Sequence, residues 1–393
     1  MALPSTTAPS PARSRVAARV AIALVFLLPL AMLAVGWGMR PVAPPFIPRP
    51  GRLPEAHWAG LAALSTPRDD FGVAPAAGRV YVLGGAGGTS AGLLDSSEIF
   101  DPATGRWGPG PALPTPRARF GAATLEGSIY AVGGATNERP AVALVEALDG
   151  ASGRWRSLAP LPAPRADLAV VELGGRIYAI GGQADGGTVG TVDAYDPATD
   201  RWTGVAPLPT PRHDLAAVAL AGRIYALGGR VDGVPSGIVE VYDPATGGWT
   251  SGPEIGVPMA DFGAAVLDGR IHALSSAGHR VYDRAVNRWI TGVPMPTARG
   301  GQGIVGLGDS LYAVGGRAEG APAATGVAEV LLPGPAPDPP ASAGERSTGG
   351  SLAVVAGGAV TVLSIVLMLA FGRRVRRVPD APRPEAEVGV GEV

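Results

Sequence analysis

The chain has 393 residues, 46% of them hydrophobic and 17% charged, with 59 Gly, 40 Pro, no Cys and a formal net charge of −1. Apolar content this high excludes a wholly disordered chain, although Gly and Pro together make up about a quarter of it. The missing cysteine removes disulfides, thiolate metal sites and thiol nucleophiles, and all 32 basic residues are Arg, which excludes a nucleic-acid or phosphate site built on lysine and fits GC-rich coding of a bacterial kind.

Residues 1–19 contain Arg13, Arg15 and Arg19 and read as a cytoplasmic segment. Val20 to Met39 then runs twenty residues without a charge, the length that crosses a hydrocarbon core of about 30 Å as a helix. Pro29 is no obstacle, because proline is tolerated in membrane helices. The run is longer than the apolar stretch of a cleaved leader and shows no clean small-x-small site before the prolines, so an uncleaved anchor is the favoured reading. Residues 40–57 are proline-rich and read as a semi-stiff stalk.

From Trp58 to Leu332 one pattern recurs. Paired glycines stand at Gly84-Gly85, Gly133-Gly134, Gly181-Gly182, Gly228-Gly229 and Gly315-Gly316, with Ser275-Ser276 in the missing slot. Tryptophans follow at Trp107, Trp155, Trp202, Trp249 and Trp289, spaced 48, 47, 47 and 40 residues apart, and Trp58 precedes the first pair. Ten residues after each Trp comes Arg68, Arg117, Arg165, Arg212, Met259 or Arg299. Each unit predicts four short strands: a small-residue strand such as Phe120 to Leu125, a tight Glu126-Gly127 turn, a strand ending in the glycine pair, a third such as Val239 to Tyr242, and a fourth around the Trp. Four strands joined this way make one propeller blade.

Beyond the repeats, residues 333–350 form a second Pro/Gly-rich stalk, and residues 351–371, uncharged from Leu352 to Phe371, form a second spanning candidate. Arg373, Arg374, Arg376 and Arg377 open a tail over 372–393. Arginine clusters mark the cytoplasmic flank, so both termini are expected inside and the repeats outside a cell membrane. Residues 41–350 agree, with 23 Arg against 29 acids, a net of −6.

The doubled glycine after Ile-Tyr-Ala-hydrophobic, the Tyr-Asp-Pro-x-Thr turn and the later Trp resemble the kelch repeat. The resemblance covers residues 58–332, about seventy per cent of the chain. It implies an all-β, six-bladed kelch-type β-propeller, here flanked by two transmembrane helices. The chain starts with a tryptophan strand and ends with three strands of a blade, so the Trp58 strand should complete the last blade and close the ring, removing exposed edges. Blade five departs most, with Ser275-Ser276, His272 in the tyrosine slot, and a loop cut to Ala277-Gly278.

The turns between strands one and two and between strands three and four are short; the other loops vary in length and composition, and variable loops on a rigid scaffold carry function. Both stalks join on the short-turn face, so the variable face should point away from the membrane. Two residues after the motif arginine stand Asp70, Arg119, Asp167, Asp214, Asp261 and Gly301, with His213 beside Asp214. Sixfold repetition should gather these at the mouth of a central channel. They are either solvated or turn-capping residues, or an oxygen-rich site for a cation, a sugar or a basic peptide. The motif arginines recur with Glu98, Glu146, Asp193, Glu240 and Glu329, and both are lost together at Met259 and Arg280, which suggests pairing. His57, His213, His272 and His279 look scattered, without metal-ligand spacing, and neither a cofactor nor a metal is expected.

Two functions follow from the resemblance. The first is a non-catalytic binding or scaffolding module for a glycan, peptide or protein, with no nucleic-acid partner. The alternative is a sugar-acting enzyme similar to the six-bladed kelch-like sialic acid mutarotases, with Asp, Arg and His at the mouth in acid–base roles, although no catalytic motif can be transferred. A copper radical oxidase of the galactose oxidase type is excluded, because it needs a cysteine cross-linked to tyrosine.

Overall fold

Six four-stranded antiparallel sheets follow one another in the computed structural model, which describes residues 55–88 and 92–334. Blade two shows the pattern, with Gly121–Leu125 innermost, then Ser128–Val132, Val145–Asp149 and Arg154–Ser157. Its first turn places Glu126 and Gly127 at φ 50° and 77°, the paired positive angles that suit a two-residue hairpin. Among the described residues every regular element is a strand, and no helix is long and apolar enough to cross a membrane. The two apolar segments and nearly all of both stalks lie outside the described residues.

Each innermost strand contacts the innermost strand of the next blade, and Gly303–Leu307 of blade six contacts Gly72–Ala76 of blade one, so the ring is closed. The apolar core is accordingly a set of wedges between blades. Tyr130 and Val132 of blade two pack with Ile177 and Tyr195 of blade three, and Val305 and Val314 of blade six with Val80 and Phe100 of blade one. Second strands, enclosed by neighbours on all sides, read as continuous apolar runs such as Ile-Tyr-Ala-Val. The glycine pairs end these strands for a steric reason. Gly133 and Gly134 have φ 68° and 104°, and a Cβ on Gly134 would lie 2.7 Å from the Ala118 carbonyl oxygen, so a side chain fits neither the angle nor the space.

Closure uses the strand expected for it. Ala56–Gly60 pairs with Ala328–Pro333, from Ala56 opposite Pro333 to Gly60 opposite Glu329. The pair reaches slightly beyond the repeat limits, so Ala56, His57 and Pro333, read above as stalk, belong to strands. Beyond it, Gly334 N–H donates to the Glu55 carbonyl at 2.6 Å, and a His57 ring nitrogen lies 3.1 Å from the Gly334 oxygen. Both chain ends therefore leave side by side from the short-turn face.

The repeated tryptophans staple neighbouring blades. Trp107 Nε1–H donates to Ala62 at 2.7 Å, Trp202 to Ala159 at 2.9 Å, Trp249 to Ala206 at 2.8 Å and Trp289 to Pro253 at 2.9 Å, in each case to the segment that leaves the preceding blade. Trp58 closes the cycle by donating to Val293 at 2.9 Å.

The five motif arginines are 0–1% exposed, the largest fully buried side chains of the domain. Each pairs with the acid of its own blade: Arg68 with Glu98 at 3.1 Å, Arg299 with Glu329 at 2.6 Å, and Arg117, Arg165 and Arg212 with Glu146, Asp193 and Glu240. Backbone carbonyls take further guanidinium donors, as Thr210 and Ala226 do for Arg212. The expected pairing is thus a buried peg inside five blades. In blade five Met259 fills the arginine slot at 1% exposure, and Arg280 turns to Ile255 O and Thr291 Oγ1 instead.

Candidate functional site

All six positions expected at the channel mouth meet there, and the backbone brings them together. The N–H of Arg119 donates to the Asp70 carbonyl at 2.8 Å, Asp167 to Arg119 at 2.9 Å, Asp214 to Asp167 at 3.0 Å, Asp261 to Asp214 at 3.2 Å and Gly301 to Asp261 at 3.0 Å. Five successive joints between blades thus share one hydrogen-bonded inner ring. Every member is left-handed, with φ between 52° and 61°, a region where Asp and Gly are favoured over other residues. Part of the recurrence of Asp is therefore a backbone requirement.

Their side chains divide the mouth into two sectors. In the first, Arg119 grips Asp167 through two nitrogens and reaches Gln183 Oε1 at 3.3 Å. Arg230 Nε donates to Asp214 at 3.1 Å. His213 lies 3.7 Å from Asp214 Oδ2, while its ring nitrogens contact Gln183 Nε2 at 3.1 Å and Thr188 Oγ1 at 3.0 Å. Burial raises the Asp167 carboxyl above its usual range, and the Arg119 hydrogen bond opposes the rise.

The second sector lies around Gly301. Asp70 and Asp261 have no ion-pair or hydrogen-bond partner for their carboxylates among the described residues, and Arg317 engages Asp69 through Oδ2 alone. Burial, followed by repulsion from Asp261 and Asp69, pushes Asp70 up to about 7. Burial, followed by Asp214 and Asp69, pushes Asp261 up to about 6. At both positions desolvation outweighs the repulsion between like charges.

Sequence reasoning assigned the variable loops after the glycine pairs to this face but did not single out Asp69, Gln183, Thr188, Arg230 and Arg317. A signal was present: the residue after each glycine pair bridges the residue before each ring position, as in His213 opposite Arg230, Ala166 opposite Gln183 and Gly300 opposite Arg317. The residues following the glycines therefore wall the mouth. The reading of the histidines as scattered is overturned for two of them. His272 Nδ1 and His279 Nε2 are 3.0 Å apart inside blade five, because Arg270–Ser275 and Gly278–Asp283 pair directly through a tight turn. His279 Nδ1–H donates to Val293 at 2.7 Å, the carbonyl that Trp58 also uses. The pair lines a cavity of about 30 Å³ between blades five and six, away from the mouth. Among the described residues no group of three or more His, Asp or Glu is placed to hold a metal ion.

Residues 71–272 match the family model described as the KLHDC2/KLHL20/DRC7 Kelch-repeats domain. A solved structure titled "Structure of YjhT" is similar at a TM-score of 0.59 and 16% identity, covering 68% of this chain and 95% of that one; at that identity the likeness speaks for the fold. No curated protein matches the chain.

Proposed function

This chain belongs to the KLHDC2/KLHL20/DRC7 kelch-repeat family, and on that premise we propose that its propeller is a binding module tethered outside a membrane, with the channel mouth as its working surface for a peptide, protein or glycan partner. One observation carries the reading: the inner ring of backbone hydrogen bonds fixes charged side chains at one opening, in bends that lead directly into the innermost strands, and the loops that wall it differ from blade to blade. Preorganisation of this kind lowers the entropy lost on binding. Tethering is supported by the arginine-flanked apolar segments and by chain ends that leave together from the opposite face.

The test uses the full chain in detergent on a peptide and glycan array, beside an Arg119→Gln/Asp214→Asn variant. Capture of a probe by the wild type and its loss in a variant that melts normally is expected. Capture that ignores these substitutions places the working surface elsewhere. Protease added to intact cells should remove the propeller and spare a tag after Val393; a protected propeller overturns the topology.

A second reading, acid–base chemistry on a sugar, is favoured by Asp70 and Asp261, whose carboxyls stand at about 7 and about 6, near the pH at which a general acid works best. NMR detection of accelerated anomer exchange, abolished by Asp70→Asn, would establish it. Unchanged exchange across a panel of reducing sugars would remove it.

A further inference from the structure

The strand Ala56–Gly60 is held to blade six by pairing and side-chain contacts alone, because no turn joins it to Ala328–Pro333. Its inward residues, Ala56 and Trp58, pack on a cluster that includes Leu267 and Leu274 of blade five and Leu331 of blade six. Trp58 also meets the His279 ring edge-on, with centroids 6.4 Å apart. Its Nε1–H and His279 Nδ1–H share the Val293 carbonyl. Ala56, Leu331 and Pro333 wall the cavity of about 30 Å³ that His272 and His279 line from the other side. The histidine pair therefore lies directly against the strand that closes the ring.

The hydrogen bonds of the pair fix its protons. Since His279 Nδ1–H donates to a carbonyl, its Nε2 is the acceptor of the neutral ring, and His272 Nδ1–H donates to it at 3.0 Å. One added proton puts a cation among largely apolar walls, and a second sets two N–H groups against each other across the same 3.0 Å. At 7% and 3% exposure, neither ring has water to carry the charge. The charged groups around the pair do not take water's place. Arg270 and Asp283 are paired with each other on the same two strands, and Asp268 and Asp309 stand at the cavity edge. No carboxylate among the described residues is hydrogen-bonded to either ring, and the closing strand and the strand it pairs with bring no charge to the cavity. Burial, with His279 and Arg270 adding to it, holds His272 down to about 3, and burial holds His279 down to about 4, whereas a ring in water titrates near about 6.5.

We propose that the His272–His279 pair is an acid-sensitive latch on ring closure: with both rings neutral the closing strand stays seated, and proton uptake releases Ala56–Gly60 from Ala328–Pro333 while the rest of the six sheets persists. Opening blade five instead would break the direct pairing of Arg270–Ser275 with Gly278–Asp283. Freeing the five residues of the closing strand costs less structure and removes both Trp58 and the Ala56 wall, which lets water reach the rings. The open form then binds the protons that the closed form excludes. Closure is accordingly fully supported above about pH 6.5 and weakens as pH falls toward the values of the closed form.

Hydrogen–deuterium exchange of the full chain in detergent, corrected for the intrinsic pH dependence of amide exchange, tests this. Between about pH 6.5 and 5 the amides of the closing pair should lose protection roughly tenfold per histidine, while Ser128–Val132 of blade two keeps its own. His272→Tyr/His279→Val, which installs the blade-four residues Tyr225 and Val239, should hold protection of the closing pair constant over this range. If that variant does not fold, His279→Asn, which can still donate to Val293, takes its place and should remove about half of the change on a logarithmic scale. Protection lost at the same pace in blade two would make the event general unfolding and overturn the proposal. So would a closing pair indifferent to acid, or a pH slope that survives in the variant tested. His57→Gln, on the closing strand itself, should leave the slope as it is; a flattened slope there would move the sensor to His57 and overturn the latch as well.

Discussion

Blades four and five are built on the same repeat pattern and solve the same packing problem differently. Blade four buries Arg212 against Glu240, places Tyr225 on its second strand and Val239 at the start of its third, and sets Arg230 after its glycines to hold Asp214. Blade five has Met259, Arg280, His272 and His279 in the first four of these positions. Its tight turn leaves Ala277 where a wall residue would stand, so Asp261 has no counterpart of Arg230 and stays unpaired. The buried peg is thus exchanged as a unit or not at all, because either half alone strands a charge or a cavity. The same shortening that simplifies blade five also opens the acidic sector of the mouth.

The largest effect expected comes from making blade four resemble blade five by halves. Arg212→Met leaves Glu240 buried without its partner and should cost about 3–5 kcal/mol in denaturant unfolding. Adding Glu240→Arg, which completes the blade-five arrangement, should recover much of that loss. Arg117→Ala with Glu146→Ala should likewise cost less than the sum of the single changes. Additive costs in both cycles would mean that the pegs merely coexist and that the exchange in blade five is incidental.

A smaller effect separates the two blades by pH. Burial lowers His272 to about 3 and His279 to about 4, against about 6.5 in an unfolded chain. Their stabilising contribution is therefore complete above pH 6.5 and is lost as pH falls toward these values, by roughly 1–2 kcal/mol per histidine between pH 6.5 and 5. Arg270 and Asp283, packed against each other on the same two strands, and Asp268 and Asp309 at the cavity edge are the charged groups near the pair. His272→Tyr/His279→Val restores the pattern of blade four and should flatten that acid slope. An unchanged slope would assign acid sensitivity to another region.

The smallest effect has the opposite sign. Asp70 and Asp261 are raised to about 7 and about 6, so their contribution is full below the unfolded value near 3.8 and declines as pH rises through the folded values. Asp261→Asn should raise the melting temperature slightly at pH 8 and leave it unchanged at pH 4, whereas Asp214→Asn, which loses the Arg230 pair, should not raise it. A gain in both variants would show that pairing does not distinguish the two blades.

Repetition made most of the fold legible. Six copies of Trp, with five each of the motif Arg and Gly-Gly, at near-constant spacing fix the number of blades, the strand order and the closing strand, and the joint loss at Met259 and Arg280 exposed the pairing of the other five positions. The ring positions were legible as well, because equivalent positions in a closed array must share one axis. What repetition hides is whatever occurs once. The His272–His279 contact depends on a single shortened turn, and the division of the mouth depends on which residue follows each glycine pair, so neither recurs often enough to stand out. The left-handed backbone that accounts for the recurring Asp has no sequence signal distinct from that of a binding site, since both select the same residue.

The clamp between Ala56 and Pro333 has a mechanical consequence. Because both chain ends depart from the same end of this strand pair, tension between them acts on the Glu55–Gly334 contact first and then on one rung at a time. Such a load peels the pair open instead of shearing all its bonds together. The closing strand is consequently the element that yields first under force, since the strands of the other five blades are joined by turns and bear no pull while it holds. If the two ends are held in a membrane, lateral separation of the anchors opens the ring at blade six while the remaining sheets keep their shape.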